Sequence, residues 1–428
     1  MSNSLIVHNR SLGHVDGSTW YVSIVGNAIA GEGTVANVEI PVREAGVLSN
    51  LYCYAPTNTA SVSSTVTFQL SQVDTAITIT YSSDQTGAKE DQSNTATAAA
   101  TDEANWEIVV PAEAGTNTLT ITVMKIEFAP TTSTNCVTIF AATGSAAFTN
   151  ASTTRFWIPN GNITSNSTET NSKWRVRVAL TSTNFYSYVS ANARTTDTVF
   201  GTRVNGVNGN QSVTYTSGQT GAKEDASNTD ALAVGQDYNY RVTSLAGTDS
   251  MTVKVLSSRL VNTAGIFPIL SGASNSGNAV GPSTTTYFAV GGGLTTTSTT
   301  EANEQVLPRF TFTASELVVW SDANTNAADN CVVTLRDNGA GSAVTITYTP
   351  GQTGLKNDSA NTAEITSGTD EITYEVANAD AAGTITFRYF GINGLSAAGG
   401  IFQHVAHRQQ GVYGMAGNID RPRGANPF

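Results

Sequence analysis

The residues able to do chemistry are few. The chain has four histidines, His8, His14, His404 and His407, and three cysteines, Cys53, Cys136 and Cys331. His404 and His407, in QHVAHRQ, stand at a spacing that metal sites use. A pair is not a site, however, and no third ligand follows at a matching distance. All four histidines lie near the termini, outside any rigid frame that could hold a nucleophile, a base and an orienting acid together. The cysteines are too few and too unevenly placed for a disulfide framework and read as small buried hydrophobes. Carboxylates occur in pairs at Asp102/Glu103, Glu224/Asp225 and Asp370/Glu371. A glycosidase needs two such groups across one cleft, whereas loop carboxylates of this kind are usually solvated. DANTNAADN, Asp322 to Asn330, spaces oxygen ligands like a calcium loop but lacks the glycine at its sixth place and the glutamate at its twelfth. There is no GxxxxGK[ST] loop, and AGEGTVANV is not a full dinucleotide fingerprint. The expectation is a protein without catalytic residues, cofactor or metal.

One polar phrase recurs instead. YSSDQTGAKEDQSNT at Tyr81 to Thr95 returns as YTSGQTGAKEDASNT at Tyr215 to Thr229 and as YTPGQTGLKNDSANT at Tyr348 to Thr362. Its glycines, Gly87, Gly221 and Gly354, are 134 and 133 residues apart. Repeats of 20 to 50 residues stack into a shared core, but a period this long lets each copy bury its own. Within the phrase, Gln85, Gln219 and Gln352 precede a glycine that turns the chain. Lys89 and Asp91, Lys223 and Asp225, and Lys356 and Asp358 then lie two apart, on one side of an extended segment, where they would pair weakly. Asn94, Asn228 and Asn361 would close Asx-turns on the backbone. The alternative is that these twelve Gln, Gly, Lys and Asp residues form three equivalent contact loops toward neighbouring subunits.

The flanking segments say what must position the phrase. AITITYSS alternates Ile77, Ile79 and Tyr81 with Thr78 and Thr80, the period of a half-buried strand, and QSVTYTSG and AVTITYTP repeat it. Asn205-Gly206 and Asn338-Gly339 mark tight hairpins just upstream; the first copy lacks Asn-Gly there, so a different turn is expected. VLSNLYCYAPTNT, ALTSTNFYSYVSANA and ASELVVWSDANTN add an aromatic strand to each copy. In LTITVMKIEF the apolar phase shifts, which predicts a β-bulge near Val123 and Met124. Turn residues every 8 to 15 positions describe an all-β chain of three tandem antiparallel sandwiches, jelly-roll-like, with short terminal arms. The expected bounds are 1–134, 135–266 and 267–395, with a C-terminal arm over 396–428.

Aromatic strand, NG hairpin, alternating strand, GQTGxKxDxxNT and a closing strand pair resemble a jelly-roll module of tailed-bacteriophage virion proteins. The likeness is clearest in CVVTLRDNGAGSAVTITYTPGQTGLKNDSANT and in YTSGQTGAKEDASNTDALAVGQDYNYRV. It implies a non-enzymatic structural component such as a head decoration or cement protein, with other virion proteins, capsid or tail, as partners. Three similar copies imply either a pseudo-threefold monomer or a homotrimer. The alternatives are a receptor- or glycan-binding fibre or tail protein, for which Tyr186, Tyr188 and Trp320 would be the sugar-stacking candidates, or another shell component. A polysaccharide-depolymerising enzyme would need a carboxylate cluster that the sequence does not display.

Charge narrows the partners. With 33 acidic and 21 basic residues the net charge is −12, which repels phosphate backbones, and the basic residues look scattered. No nucleic acid is expected. No apolar run reaches about 18 residues, so no membrane span is expected. The start MSNSLIVHNRSLGHVDG has neither the basic nor the apolar region of a secretion signal, which points to synthesis in a host cytoplasm and a place in the virion. The sequons at Asn162 and Asn166 carry no weight in that setting.

Overall fold

The computed structural model describes residues 4–15, 17–25, 32–112, 117–131, 136–148, 153–161, 165–244, 249–272, 277–294 and 297–396. The C-terminal arm expected over 396–428, with His404 and His407, lies outside the described residues except for Ser396.

Each copy contributes eight principal strands in two antiparallel four-stranded layers. In the first copy, Ser4–Val15, Thr118–Pro130, Gly46–Ala55 and Gly87–Ala98 lie side by side in that order; Ser18–Ser23, Glu103–Val110, Ser64–Leu70 and Val73–Tyr81 form the facing layer. Counted along the chain, the strand orders are 1-8-3-6 and 2-7-4-5. The second copy repeats them with Cys136–Phe148, Met251–Asn262, Leu180–Asn192 and Gly221–Leu232 against Thr154–Trp157, Asp237–Ser244, Thr198–Val204 and Val207–Tyr215. The third does so with Ile266–Gly272, Ile385–Ser396, Phe312–Asn324 and Gly354–Ile365 against Thr284–Ala289, Ile372–Asn378, Cys331–Asp337 and Ala340–Tyr348. First strand beside last and double Greek-key winding make each copy a jelly roll. Among the described residues the only helical pieces are the single turns Val35–Asn37, Glu169–Ser172 and Glu301–Asn303.

The alternation read in AITITYSS is what the layer shows: Ile77, Ile79 and Tyr81 are buried, Thr78 and Thr80 exposed. Aromatic rings meet edge to face in the interior, Trp106 on Phe68 at 4.9 Å across neighbouring strands of one layer and Tyr374 on Phe390 at 5.3 Å between the layers. Cys53 and Cys331 sit in this interior, fully buried, and burial pushes both thiols up, that of Cys331 to about 12.

Three expectations need correction. The first copy's hairpin is of the same kind as the others: Ser71 and Gln72 have φ of 48° and 65°, matching 51° and 80° at Asn205-Gly206 and 48° and 73° at Asn338-Gly339. Strand twist demands this turn whatever residues occupy it, and Ser-Gln bears it at a conformational cost. The bulge is not in the closing strand. The register breaks on its partner, where Arg10 and Ser11 together face Thr122, while the inward face passes from Ile121 to Met124 and Val123 turns outward. His8 and His14 lie within the first sandwich, on Ser4–Val15. His14 is buried near Trp20, its ring centroid 6.2 Å away, and burial lowers its pKa to about 4, so it is neutral at pH 7.

Replacing Ser71 with asparagine, the residue at this place in the other two hairpins, should relieve a left-handed residue while keeping a donor for Asp102, as Asn338 does for Asp370. The expected outcome is a gain of up to about 1 kcal/mol in chemical denaturation, with no gain from the same replacement at the exposed, extended Thr80.

Candidate functional site: the repeated loop and the seams between copies

In every copy the phrase leaves an edge strand of one layer, turns, and becomes an edge strand of the other. The glutamine builds the turn. Gln85 Oε1 accepts the Ser82 amide at 3.0 Å, Gln219 that of Thr216 at 3.2 Å and Gln352 that of Thr349 at 3.1 Å. An asparagine at the end of the third strand or just beyond it, Asn192, Asn324 or Asn58, donates to two carbonyls of the same turn. The glycine then takes φ of +90°, +89° and +91° at Gly87, Gly221 and Gly354, where a side chain would be strained.

Lysine and aspartate do not pair with each other. Lys89, Lys223 and Lys356 each donate to the carbonyl of Thr80, Thr214 or Thr347 and lie over Tyr81, Tyr215 or Tyr348, 5.2 to 5.5 Å from the ring centroids. Asp91, Asp225 and Asp358 accept the backbone amides of Thr78, Ser212 and Thr345 at 3.0, 2.9 and 3.0 Å. These carbonyls and amides belong to the unpaired side of an edge strand. Lys-x-Asp thus supplies one donor and one acceptor where the next strand of the sheet would be, and so closes an edge that would otherwise recruit another chain. The asparagine role is also reversed. Asn94, Asn228 and Asn361 donate to the aspartate at 2.9 to 3.0 Å, and the aspartate receives their backbone amides at 3.1 Å. Burial opposes ionisation of each aspartate, but these hydrogen bonds outweigh it and hold all three below the usual carboxylate range.

In two copies the residue between Lys and Asp reaches a different copy, and in the third Glu316 does so instead. Arg43 of the first copy grips Glu224 of the second at 2.7 Å; Arg177 of the second grips Glu316 of the third at 2.6 Å; Arg309 of the third pairs with Glu90 of the first. The cycle closes on itself. The arginines are 134 and 132 residues apart, so basic residues that look scattered keep the repeat's register. The carboxylate moves while the pairing persists: Asn50, Asn184 and Glu316 are equivalent left-handed residues at φ 56°, 53° and 55°, two places before Tyr52, Tyr186 and Val318, which pair with Glu90, Glu224 and Asn357. In the third copy the acid and the amide have changed places.

Apolar packing follows the same cycle. The outward face of each 1-8-3-6 layer is buried in another copy's core: Val7, Tyr52 and Val123 in the third copy's, Ala141, Tyr186 and Val255 in the first's, Leu270, Val318 and Tyr389 in the second's. Tyr54, Tyr188 and Trp320 pack beside them, half-buried. The aromatic residues considered for sugar stacking are therefore seam residues, neither loop residues nor members of their own copy's interior. Each fully buried side chain contributes about 1.5 to 3 kcal/mol, against about 0 to 1 for a partly exposed ion pair. Apolar burial holds the seams, and the arginines set which residues meet.

Each seam also carries polar contacts of its own. Between third and first copies, the buried pair Lys125–Glu127, 2.6 Å apart, accepts the Arg309 amide at 2.6 Å through Glu127. Between first and second, Lys254 meets Glu32 at 2.6 Å and Arg259 pairs with Glu44. Between second and third, Asn160 donates to the Leu270 carbonyl at 3.1 Å. Three further acids are engaged structurally. Asp102 accepts the Ala99 amide, Asp370 that of Thr366, and Asp380 those of Ala327, Ala328 and Asp329 within the calcium-like stretch. No group of three metal-ligating side chains occurs among the described residues.

Asp225→Ala strips the acceptor from the Ser212 amide and should cost about 1 to 3 kcal/mol in denaturation. Glu316→Asn should lower the unfolding midpoint by leaving Arg177 unmatched, and adding Asn357→Glu, which copies the pattern of the other seams, should restore it. Failure of the second change to rescue the first would show that the exchange is coincidental.

No protein-family model matches the chain, and no curated protein is similar enough to count as a relative. Two of the solved structures that are distantly similar illustrate the likeness. A Paenibacillus xanthan lyase shares 12% identity over 66% of this chain and 30% of its own, with a TM-score of 0.19. The protein described with "the triple jelly roll fold and turret assembly in an archaeal virus" shares 11% identity over 92% of this chain and 91% of its own, also at 0.19. At such scores neither superposition decides fold or function.

Proposed function

We propose that the chain is a non-enzymatic structural protein of a virus particle, most concretely a decoration or cement protein bound to the shell of a tailed phage. The observation that carries this reading is the closed cycle of Arg43–Glu224, Arg177–Glu316 and Arg309–Glu90 around three jelly rolls. One chain then repeats its surface three times, as a local threefold position on a shell or tail would require. Its seams are satisfied within the chain, so the acting unit is a pseudo-threefold monomer. Three like contacts on one body raise avidity without a strong individual contact.

The phrase loops are the proposed points of contact. Their tips, within 82–86, 216–220 and 349–353, are mostly exposed, while the Gln, Lys and Asp side chains behind them hold the loops rigid. Rigid presentation lowers the ordering cost of binding. Shell stabilisation by such contacts needs no catalytic group. Asp102, Asp370, Tyr186 and Tyr188, among the residues considered for an enzyme or a glycan site, are engaged in turns and seams.

Co-sedimentation of the purified protein with particles that lack it, alongside a glycan-array screen, tests the function. Saturable binding to particles with silent glycans is expected; glycan binding without particle association would move the protein to host recognition. Light scattering should report one chain per unit, and a trimer would overturn the closed monomer. Ser83→Arg, Ser217→Arg and Pro350→Arg together should abolish particle binding while leaving the unfolding midpoint unchanged.

A further inference from the structure

The three copies differ at one cross-strand position in a way that only chemistry explains. In the second copy, Trp174 pairs with Tyr238 and Arg175 with Asp237, which makes Lys173 and Asp237 diagonal neighbours; they form an ion pair at 3.2 Å. In the first copy, Ile40 pairs with Ala104 and Pro41 with Glu103, so the same diagonal holds Glu39 and Glu103. In the third, the Val306–Ile372 bridge places Gln305 and Glu371 there. One frame thus carries a base with an acid, an amide with an acid and, in the first copy, two acids.

We propose that Glu39 holds a proton toward Glu103 in mildly acidic solution and releases it as the solution turns mildly alkaline, loosening the seam between the first and second copies. Glu39 is 3% exposed, and its Oε1 is buried with no hydrogen-bond donor. Its other oxygen takes only the long 3.3 Å hydrogen bond from Gln72. A buried carboxylate left this way is costly, and a proton lying between the two acids removes both the like-charge repulsion and the orphaned acceptor. Burial first, then the charge of Glu103, raise Glu39 to about 7, which agrees with the geometry.

The surroundings offer no cation to take the proton's place. Gln72, from the hairpin, is neutral. Tyr186 of the second copy, whose ring fills the first copy's core, feels both carboxylates as well as Arg43. Arg43 is already held by both oxygens of Glu224, through Nε at 2.9 Å and Nη2 at 2.7 Å. A second negative charge on the pair would therefore lie uncompensated beside the tyrosine that joins the two copies. The sign follows: because the folded chain binds this proton more tightly than the unfolded chain, stability is greatest below the unfolded carboxylate range and falls as pH rises through about 7.

The test is a thermal-unfolding profile of the full chain from about pH 6 to about pH 8.5, with Glu39→Gln and Glu39→Lys, which copy the third and second copies. The wild-type midpoint should fall by a few degrees across that range relative to both variants. His14 titrates with the opposite sign and cancels in the difference. Infrared spectra should show a neutral carboxylic-acid band near pH 6 that is lost near pH 8.5 and missing from Glu39→Gln. Parallel profiles for all three proteins would overturn the proposal. So would stoichiometric calcium binding that removes the pH dependence, since the pair would then be a cation site.

Discussion

Everything else in this molecule depends on the burial of a second sheet face. A sandwich normally turns one face of each sheet inward and leaves the other to water. Here the outward faces of three sheets are apolar at their centres, and each is covered by the neighbouring copy through Tyr52, Tyr186 and Val318 and their companions. Covering all three at once is possible only if the copies close into a cycle. An open row would leave one such face exposed to solvent.

Closure places a demand on the remaining edges. Each jelly roll ends in strands whose outer amides and carbonyls have no sheet partner, and three copies multiply the hazard. The recurring phrase meets that demand with side chains: the lysine serves a carbonyl, the aspartate an amide, and the asparagine locks the aspartate. In the first two copies the glutamate between them faces the seam. A segment of a few residues thus links edge protection to the contacts between copies, which is why its wording is held so closely while much around it has drifted.

What drifted is informative as well. The seams share their apolar residues and their arginine but differ in their polar details: Lys125–Glu127 at one, Arg259–Glu44 and Lys254–Glu32 at another, a carbonyl contact from Asn160 at the third. Such differences favour each copy meeting its proper neighbour and disfavour exchange between chains, because a buried charge left unmatched is expensive. The Glu39–Glu103 pair belongs to the same class, a local departure visible only because two other copies supply the comparison.

The sequence by itself determined the class of fold, the threefold repetition and the alternating strands, because period-two patterning and turn residues act over a few positions and three copies reinforce each reading. It also marked Gln85, Gly87, Lys89 and Asp91 and their counterparts as one unit. The partners of that unit were decided by tertiary structure. Lys89 meets Thr80 and Asp91 meets Thr78 across an open edge, and adjacency in sequence wrongly pointed to a bond between the two. The hairpin at Ser71-Gln72 was misread because strand twist outweighed local preference. Tyr186, Tyr188 and Trp320 looked like ligand contacts or interior residues because alternation says which face a side chain occupies and nothing about what covers that face. The arginine cycle was written at the repeat's spacing, yet it became legible only when Arg177 proved to meet Glu316 and Asn357 proved to pair with Val318 two places further on, since the carboxylate had crossed to another strand. Patterns within a strand are local, whereas the pairing of surfaces more than a hundred residues apart is settled only when the whole chain has folded.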